Sequence, residues 1–181
     1  KGERGFYVDS GSWHPYKASN TWFFDRCLGW EGTCVEPVAS HWSMLEEHRS
    51  CTLAKACLSV ERTSMSIAVK GPHSTLSESR GRATRQDITC VPISTIAKQA
   101  GRSTIDFWSL DVEGHELEVL SHDWEAHGLT VNALMVEDHH HVLAVLDRLV
   151  LTSHSFVKVA QMPLDTLYVS RHSASFLPPQ P

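Results

Sequence analysis

Apolar positions along this chain fall into short continuous runs that stop at acidic residues, with helix-period stretches between them. Phe6-Tyr7-Val8 stops at Asp9-Ser10-Gly11, Cys34-Val35 at Glu36-Pro37, residues 105–112 at Glu113, and residues 132–136 at Glu137-Asp138. Uninterrupted apolar runs are what strands covered on both faces of a parallel sheet look like. Behind the first run, Trp22, Phe23, Phe24, Cys27 and Leu28 form i, i+4 pairs after Ser19-Asn20-Thr21, and Gly29 closes the segment, which predicts a helix with an apolar face. Further helices are predicted at residues 40–48 with Trp42 and Leu45 inward, and from a Ser94 cap to Gly101. Two more follow the spacings Leu117, Leu120, Trp124 and Val142, Leu143, Leu146, Leu149, Val150. Residues 53–60, around Ala56-Cys57-Leu58-Ser59, predict one further strand. The runs at residues 155–160 and 164–170 are separated only by Gln161-Met162-Pro163, too few residues for a parallel crossover, so they pair as a hairpin. The predicted fold class is α/β, with a mostly parallel sheet that ends in a C-terminal antiparallel hairpin.

The pattern dissolves over residues 61–89, apart from residues 65–69. That stretch carries Gly71-Pro72 and a polar run with Arg80, Arg82 and Arg85, and it predicts a long loop with solvated arginines. One domain is predicted over residues 1–170, followed by a disordered tail, 171–181, with three prolines. A length of 181 residues and a hydrophobic fraction of 41% suit that single core, and a net charge of -5 gives no basic surface for nucleic acid. Cys27, Cys34, Cys51, Cys57 and Cys90 are odd in number, form no Cys-x-x-Cys pair and mostly sit in apolar segments, so reduced thiols are expected. No apolar run approaches the roughly 18 residues of a membrane span. The chain opens at Lys1, with its first strand almost at once and no signal peptide, as a fragment that had lost a preceding segment would. The compartment is not legible.

In open α/β sheets ligands sit beyond the carboxyl ends of the strands, so Asp9 and Gly11 mark the floor of a site, with glycine allowing close backbone approach. Glu36 follows Gly11 by 25 positions and suits a strand-end acid that accepts hydrogen bonds from a ribose diol. Small residues around Cys57 suit the border of a flat ring. Acids at the strand ends attract a cationic ligand and repel a phosphate. A nicotinamide-dependent oxidoreductase is disfavoured because Gly-x-Gly-x-x-Gly does not follow the first strand. Asp138-His139-His140-His141 offers His139 and His141 to a metal, but a polar helix start accounts for it, and no metal site is expected.

Four blocks in order carry a family likeness: residues 7–15 (Tyr7-Val8-Asp9-Ser10-Gly11-Ser12-Trp13-His14-Pro15), Ser19-Asn20-Thr21, residues 29–37 around Cys34-Val35-Glu36-Pro37, and residues 110–120 around Asp111-Val112-Glu113-Gly114-His115-Glu116. On these the chain resembles the FkbM family of S-adenosylmethionine-dependent methyltransferases over roughly residues 5–170. The resemblance implies a Rossmann-like class I methyltransferase sheet and S-adenosylmethionine bound through Asp9, Gly11, Ser12, Asn20, Glu36, Cys57 and Asp111. It also implies methyl transfer to a hydroxyl of a sugar or small metabolite, that is, a small-molecule or glycan acceptor. Ser12-Trp13-His14-Pro15 stands where members often carry Ala-Asn after the glycine. Within residues 111–116, His115 is the first candidate for the base that takes the acceptor's proton and Glu113 the second, with Asp111 beside them. The alternative is a catalytically inactive module that keeps the fold for binding or scaffolding.

Overall fold

The computed structural model describes residues 4–69, 84–138 and 143–173. Its central sheet has seven strands: β1 (Phe6–Ser10), β2 (Glu31–Val35), β3 (Thr52–Ala54), β7 (Thr104–Leu110), β8 (Thr130–Glu137), β9 (Phe156–Gln161) and β10 (Asp165–Ser170). They lie in the order β3-β2-β1-β7-β8-β10-β9, parallel from β3 through β8 and antiparallel at β10 and β9. The predicted class is met, down to the closing hairpin. β1 is buried along its whole length because it is the middle strand of the parallel part, flanked by β2 and β7.

Strand alternation divides the residues between the two faces of the sheet. Val8, Trp108, Leu110 and Leu134 belong to the main core, which also holds Ile93 and Ile96 of α3 (Ile93–Gln99), Leu120 of α4 (Glu116–Leu120), and Leu146 and Val150 of α5 (Leu143–Ser153). Trp108 meets Trp124 edge-to-face at 5.5 Å. Tyr7 and Phe107, paired in register, belong to the opposite face, where Phe24 of α1 (Trp22–Arg26) stacks 4.7 Å from both Trp30 and Phe107. No helix among the described residues is long and apolar enough to cross a membrane.

Several local expectations are corrected. Residues 53–60 are not one strand: β3 ends at Ala54, the Ala56 amide turns back onto the Ala54 carbonyl, and β4 (Cys57–Leu58) joins a different sheet. That second sheet is three-stranded, β4-β6-β5, with β5 (Thr63–Val69) and β6 (Thr84–Val91) antiparallel where a loop was expected. Period-two alternation sets it: Ile67, Ile88, Cys57 and Cys90 bury a small core with Val38 of the link that follows β2, Met65 packs against it, and Ser64 and Ser66 face out. Arg85 is exposed on β6, and Arg80 and Arg82 lie outside the described residues.

The cysteines are corrected too: Cys34 is bridged to Cys51 and Cys57 to Cys90, leaving Cys27 as a free, exposed thiol. Only part of the face predicted for the first helix packs inward: Phe24 meets Phe107, Trp22, Phe23 and Leu28 are exposed, and Asp25 is the buried residue of α1. Burial there follows the charge, because Asp25 pairs with a buried Arg49. Ser94 lies inside α3, capped instead by Pro92, and donates or accepts at the His122 ring. The helix after Glu113 is a single turn, and Trp124 reaches the core from the residue before the 3-10 turn Glu125–His127. The start of the tail is ordered: the Arg171 amide bonds the Ser155 carbonyl and Ser173 bonds Asn132. Residues 174–181 and Val142 lie outside the described residues.

Candidate functional site

Asp9, Glu36, Asp111 and Glu137 all stand at the carboxyl edge, at or just beyond the ends of β1, β2, β7 and β8. The chain leaves β1 toward β2 and β3 and returns to β7 on the other side, so the strand order reverses between β1 and β7. Such switch points open the crevice that ligands occupy. Gly11, with φ +80°, turns the chain out of β1 at this point, and a Cβ on it would lie 1.7 Å from the Asp111 carbonyl oxygen. The Gly11 and Ser12 amides both donate to the Val35 carbonyl, and the Ser12 hydroxyl donates to the Asp9 carbonyl at 2.7 Å. With the Trp13 amide turned to Glu36, three consecutive N–H groups face β2 and none of the three is left to cradle a phosphate. Among the described residues, non-glycine positive φ occurs at Trp13, Ala18, Glu113 and Ser155, and the first three belong to the loops of this edge. Such conformations cost about 1–3 kcal/mol per residue, and their gathering at one edge is a pattern that functional loops share.

Glu36 is 2% exposed. Its Oε2 accepts the Trp13 amide at 2.8 Å, and Oε1 accepts the Val38 amide at 2.8 Å and meets His41 Nδ1 at 3.2 Å. Trp42 Nε1 donates to the Glu36 carbonyl, which keeps α2 (Ala39–His48) against the strand end. Each carboxylate oxygen has two acceptor positions. Oε2 therefore retains acceptor capacity beside the loop.

Asp9, a cofactor contact expected from the sequence, also makes hydrogen bonds within the protein. Its Oδ2 accepts Thr21 Oγ1 at 2.5 Å, Ser19 Oγ at 3.4 Å and Arg49 Nη1 at 3.3 Å, so that oxygen is engaged inside the protein. Burial pushes its pKa up, against the pull of Arg49. Asp25 also suffers burial, but hydrogen bonds from Ser50 and Arg49 overcome it and hold its carboxyl below the usual range. Arg49 was missed from sequence.

The third strand end holds a carboxyl pair. Asp111 is hydrogen-bonded to Glu137, and burial, that bond and the charges of Glu137, Glu113 and Glu116 push its pKa up to about 9. Its Oδ1 is buried without a hydrogen-bond partner. Burial and neighbouring acids push the Glu137 pKa up as well, so the adjoining carboxyls share a proton and titrate as one coupled pair. Unfolded, Asp111 would titrate near its ordinary 3.8. Its stabilising contribution is thus complete below about pH 4 and lost steadily as pH rises toward 9, because the unfolded chain has released a proton that the folded chain retains. Asp111→Asn, uncharged throughout and still a donor to Glu137, is expected to raise Tm at pH 8, by about 2–4 °C for each kcal/mol gained in a chain of this size. The gain should shrink toward pH 4 in the same thermal scans. Identical melting at pH 8 would refute the shared proton.

Asn20 bridges the two halves of the edge, donating to Ser109 Oγ at 3.2 Å and Asp165 Oδ1 at 3.4 Å. Glu113 and Gly114 sit at φ +55° and +101°, and Glu116, 4% exposed, fastens this turn by accepting the Val112 and Gly114 amides at 2.9 and 3.2 Å. His115 starts α4, partly exposed, with Nδ1 3.2 Å from Glu118 Oε2. Cys57, expected to border the flat ring of the cofactor, is bridged to Cys90 in the second sheet. His139 and His141 lie outside the described residues. A groove of about 540 Å³ near Phe6, Trp30 and Arg102 faces the opposite edge and contains none of the strand-end acids.

A comparison with curated proteins finds no match. Residues 9–157 match the family model described as Methyltransferase FkbM domain, which takes in the Gly11 loop, Glu36, the carboxyl pair and the turn at Glu113. The chain belongs to the FkbM methyltransferase family, and the role of its domain is that of a methyltransferase.

Proposed function

We propose that the protein is an S-adenosylmethionine-dependent methyltransferase acting on a hydroxyl oxygen of a sugar or small metabolite. The observation that carries this is the buried Glu36 carboxylate bonded to the Trp13 amide, which sets a strand-end acid against the glycine loop. A ribose hydroxyl can donate to the acceptor position that Oε2 retains. The residues fit the cofactor in charge as well: the half-neutralised Asp111–Glu137 pair suits a cation, and the inward-turned loop amides do not suit a phosphate.

When bound, S-adenosylmethionine supplies an electrophilic methyl group on a sulfonium. Glu36 with the Gly11–Ser12 loop would hold its nucleoside part, and Asp111, Asn20 and Glu137 would face the charged end. What remains for the protein is to align the acceptor oxygen and take its proton. His115 suits the second task, because a hydrogen bond from Nδ1–H to Glu118 leaves Nε2 as the proton acceptor. Asp111 suits it less, because burial and its acidic neighbours push its pKa up and hold its proton.

Glu36→Ala is expected to weaken S-adenosylmethionine binding by roughly 1.5–3 kcal/mol, the scale of hydrogen bonds to a charged group. Isothermal calorimetry on both proteins measures it, and equal affinities would remove Glu36 from the site. A second reading, an inactive binding module, is favoured by the engagement of Asp9 with Arg49. It requires that the parent protein bind no S-adenosylmethionine in the same titration.

A further inference from the structure

We infer that Arg49 is the positioning residue of the cofactor loop, holding residues 11–21 in the binding conformation before any ligand arrives; this rests on the function proposed above. The side chain is fully buried. Nε donates to Asp25 Oδ2 at 2.5 Å. Nη1 reaches Asp9 Oδ2 at 3.3 Å, the Pro15 carbonyl at 3.2 Å and Ser19 Oγ at 3.1 Å. Nη2 reaches Tyr7 OH at 3.2 Å and Thr21 Oγ1 at 2.7 Å.

These partners come from the strand before the loop, the middle of the loop, its far end and the helix that follows. A planar fork of five N–H donors can span them, while the point charge of a lysine cannot. The fork is itself anchored. Arg49 is the C-cap of α2, its amide on the Leu45 carbonyl at 2.9 Å, and two residues later Cys51 is bridged to Cys34, two residues before Glu36. One cross-link therefore fixes the loop's anchor relative to the acid that the Trp13 amide must meet. A loop ordered in advance adds no ordering cost to ligand binding.

The test compares parent, Arg49→Ala, Arg49→Lys and the charge-balanced double variant Asp9→Asn/Arg49→Met, which keeps the experiment open where Arg49→Ala fails to fold. Hydrogen exchange of the amides of residues 12–20 is followed alongside calorimetry with S-adenosylmethionine. The expected result is exchange at least about tenfold faster confined to the loop, with affinity about 10- to 100-fold weaker. Arg49→Lys should not restore it, and millimolar ethylguanidinium added to Arg49→Ala should. Parent-like exchange in a folded variant overturns the inference, and so does a loss of protection spread evenly over the sheet, which would make Arg49 a general stability residue. If the parent binds no S-adenosylmethionine, the cofactor reading fails by itself and the exchange data still decide the role of Arg49.

Discussion

Gly11→Val is expected to leave almost no folded protein. A Cβ at this position lies 1.7 Å from the Asp111 carbonyl oxygen; the backbone fixes where that Cβ stands and the oxygen is itself backbone, so no rotamer change can relieve the overlap. The φ of +80° adds a left-handed conformation that costs an L-residue about 1–2 kcal/mol, more for a β-branched one. Separation would have to open β1 from β7, where Asp111 N donates to the Ser10 carbonyl at 3.1 Å and the main core packs beneath. A destabilisation on the order of 4 kcal/mol or more follows, the range reserved for a few severe mechanisms. Urea titration of the parent and Gly11→Ala, the milder change, measures it; an unfolding free energy within about 1 kcal/mol of the parent would contradict the geometry. From sequence, the glycine was expected to admit a ligand. In the structure it also lets the backbone of the neighbouring strand end approach.

His115→Ala is expected to lower kcat roughly 10²- to 10⁴-fold, the usual contribution of a positioned general base, with cofactor affinity nearly intact. The imidazole opens α4 directly after the Glu113-Gly114 turn, and Glu116 holds that turn by two backbone amides. Glu118 Oε2 lies 3.2 Å from the ring's Nδ1. Glu118→Gln should lose rate in the same direction and by less. Rates measured on an accepted hydroxyl substrate decide between the candidates: full turnover by His115→Ala removes it, and the same loss seen only in Glu113→Gln gives the role to that carboxylate.

The strand ends were legible because burial on both faces forces unbroken apolar runs, and the first polar residue after each run marks where the sheet meets solvent. Asp9, Glu36, Asp111 and Glu137 were therefore aligned at one edge from the sequence alone. Arg49 was not. As the cation after Glu47-His48 it reads as an ordinary helix end, and its acidic partners Asp25 and Asp9 lie 24 and 40 positions away. The second sheet escaped for a different reason: in Thr63–Val69 the outward positions are serine and the inward ones few, so the alternation is too weak to separate a strand from a loop. Burial of Asp25 in place of Trp22 and Phe23 had no local signal either, since a buried guanidinium outweighed the apolar face.

The two cross-links carry a consequence for how the molecule is made. Each bridge requires removal of two electrons from a pair of thiols, so the chain leaves the ribosome unfinished and is completed by an oxidant. Cys34 and Cys51 are 17 positions apart and Cys57 and Cys90 are 33, so neither pair is brought together by local chain geometry alone. In a glutathione-rich cytosol the same chain would be held in its dithiol form. Protein produced there and protein produced in an oxidising host are then two different molecules, distinguishable by mass after thiol alkylation, and only the second has the loop anchor tied to Glu36.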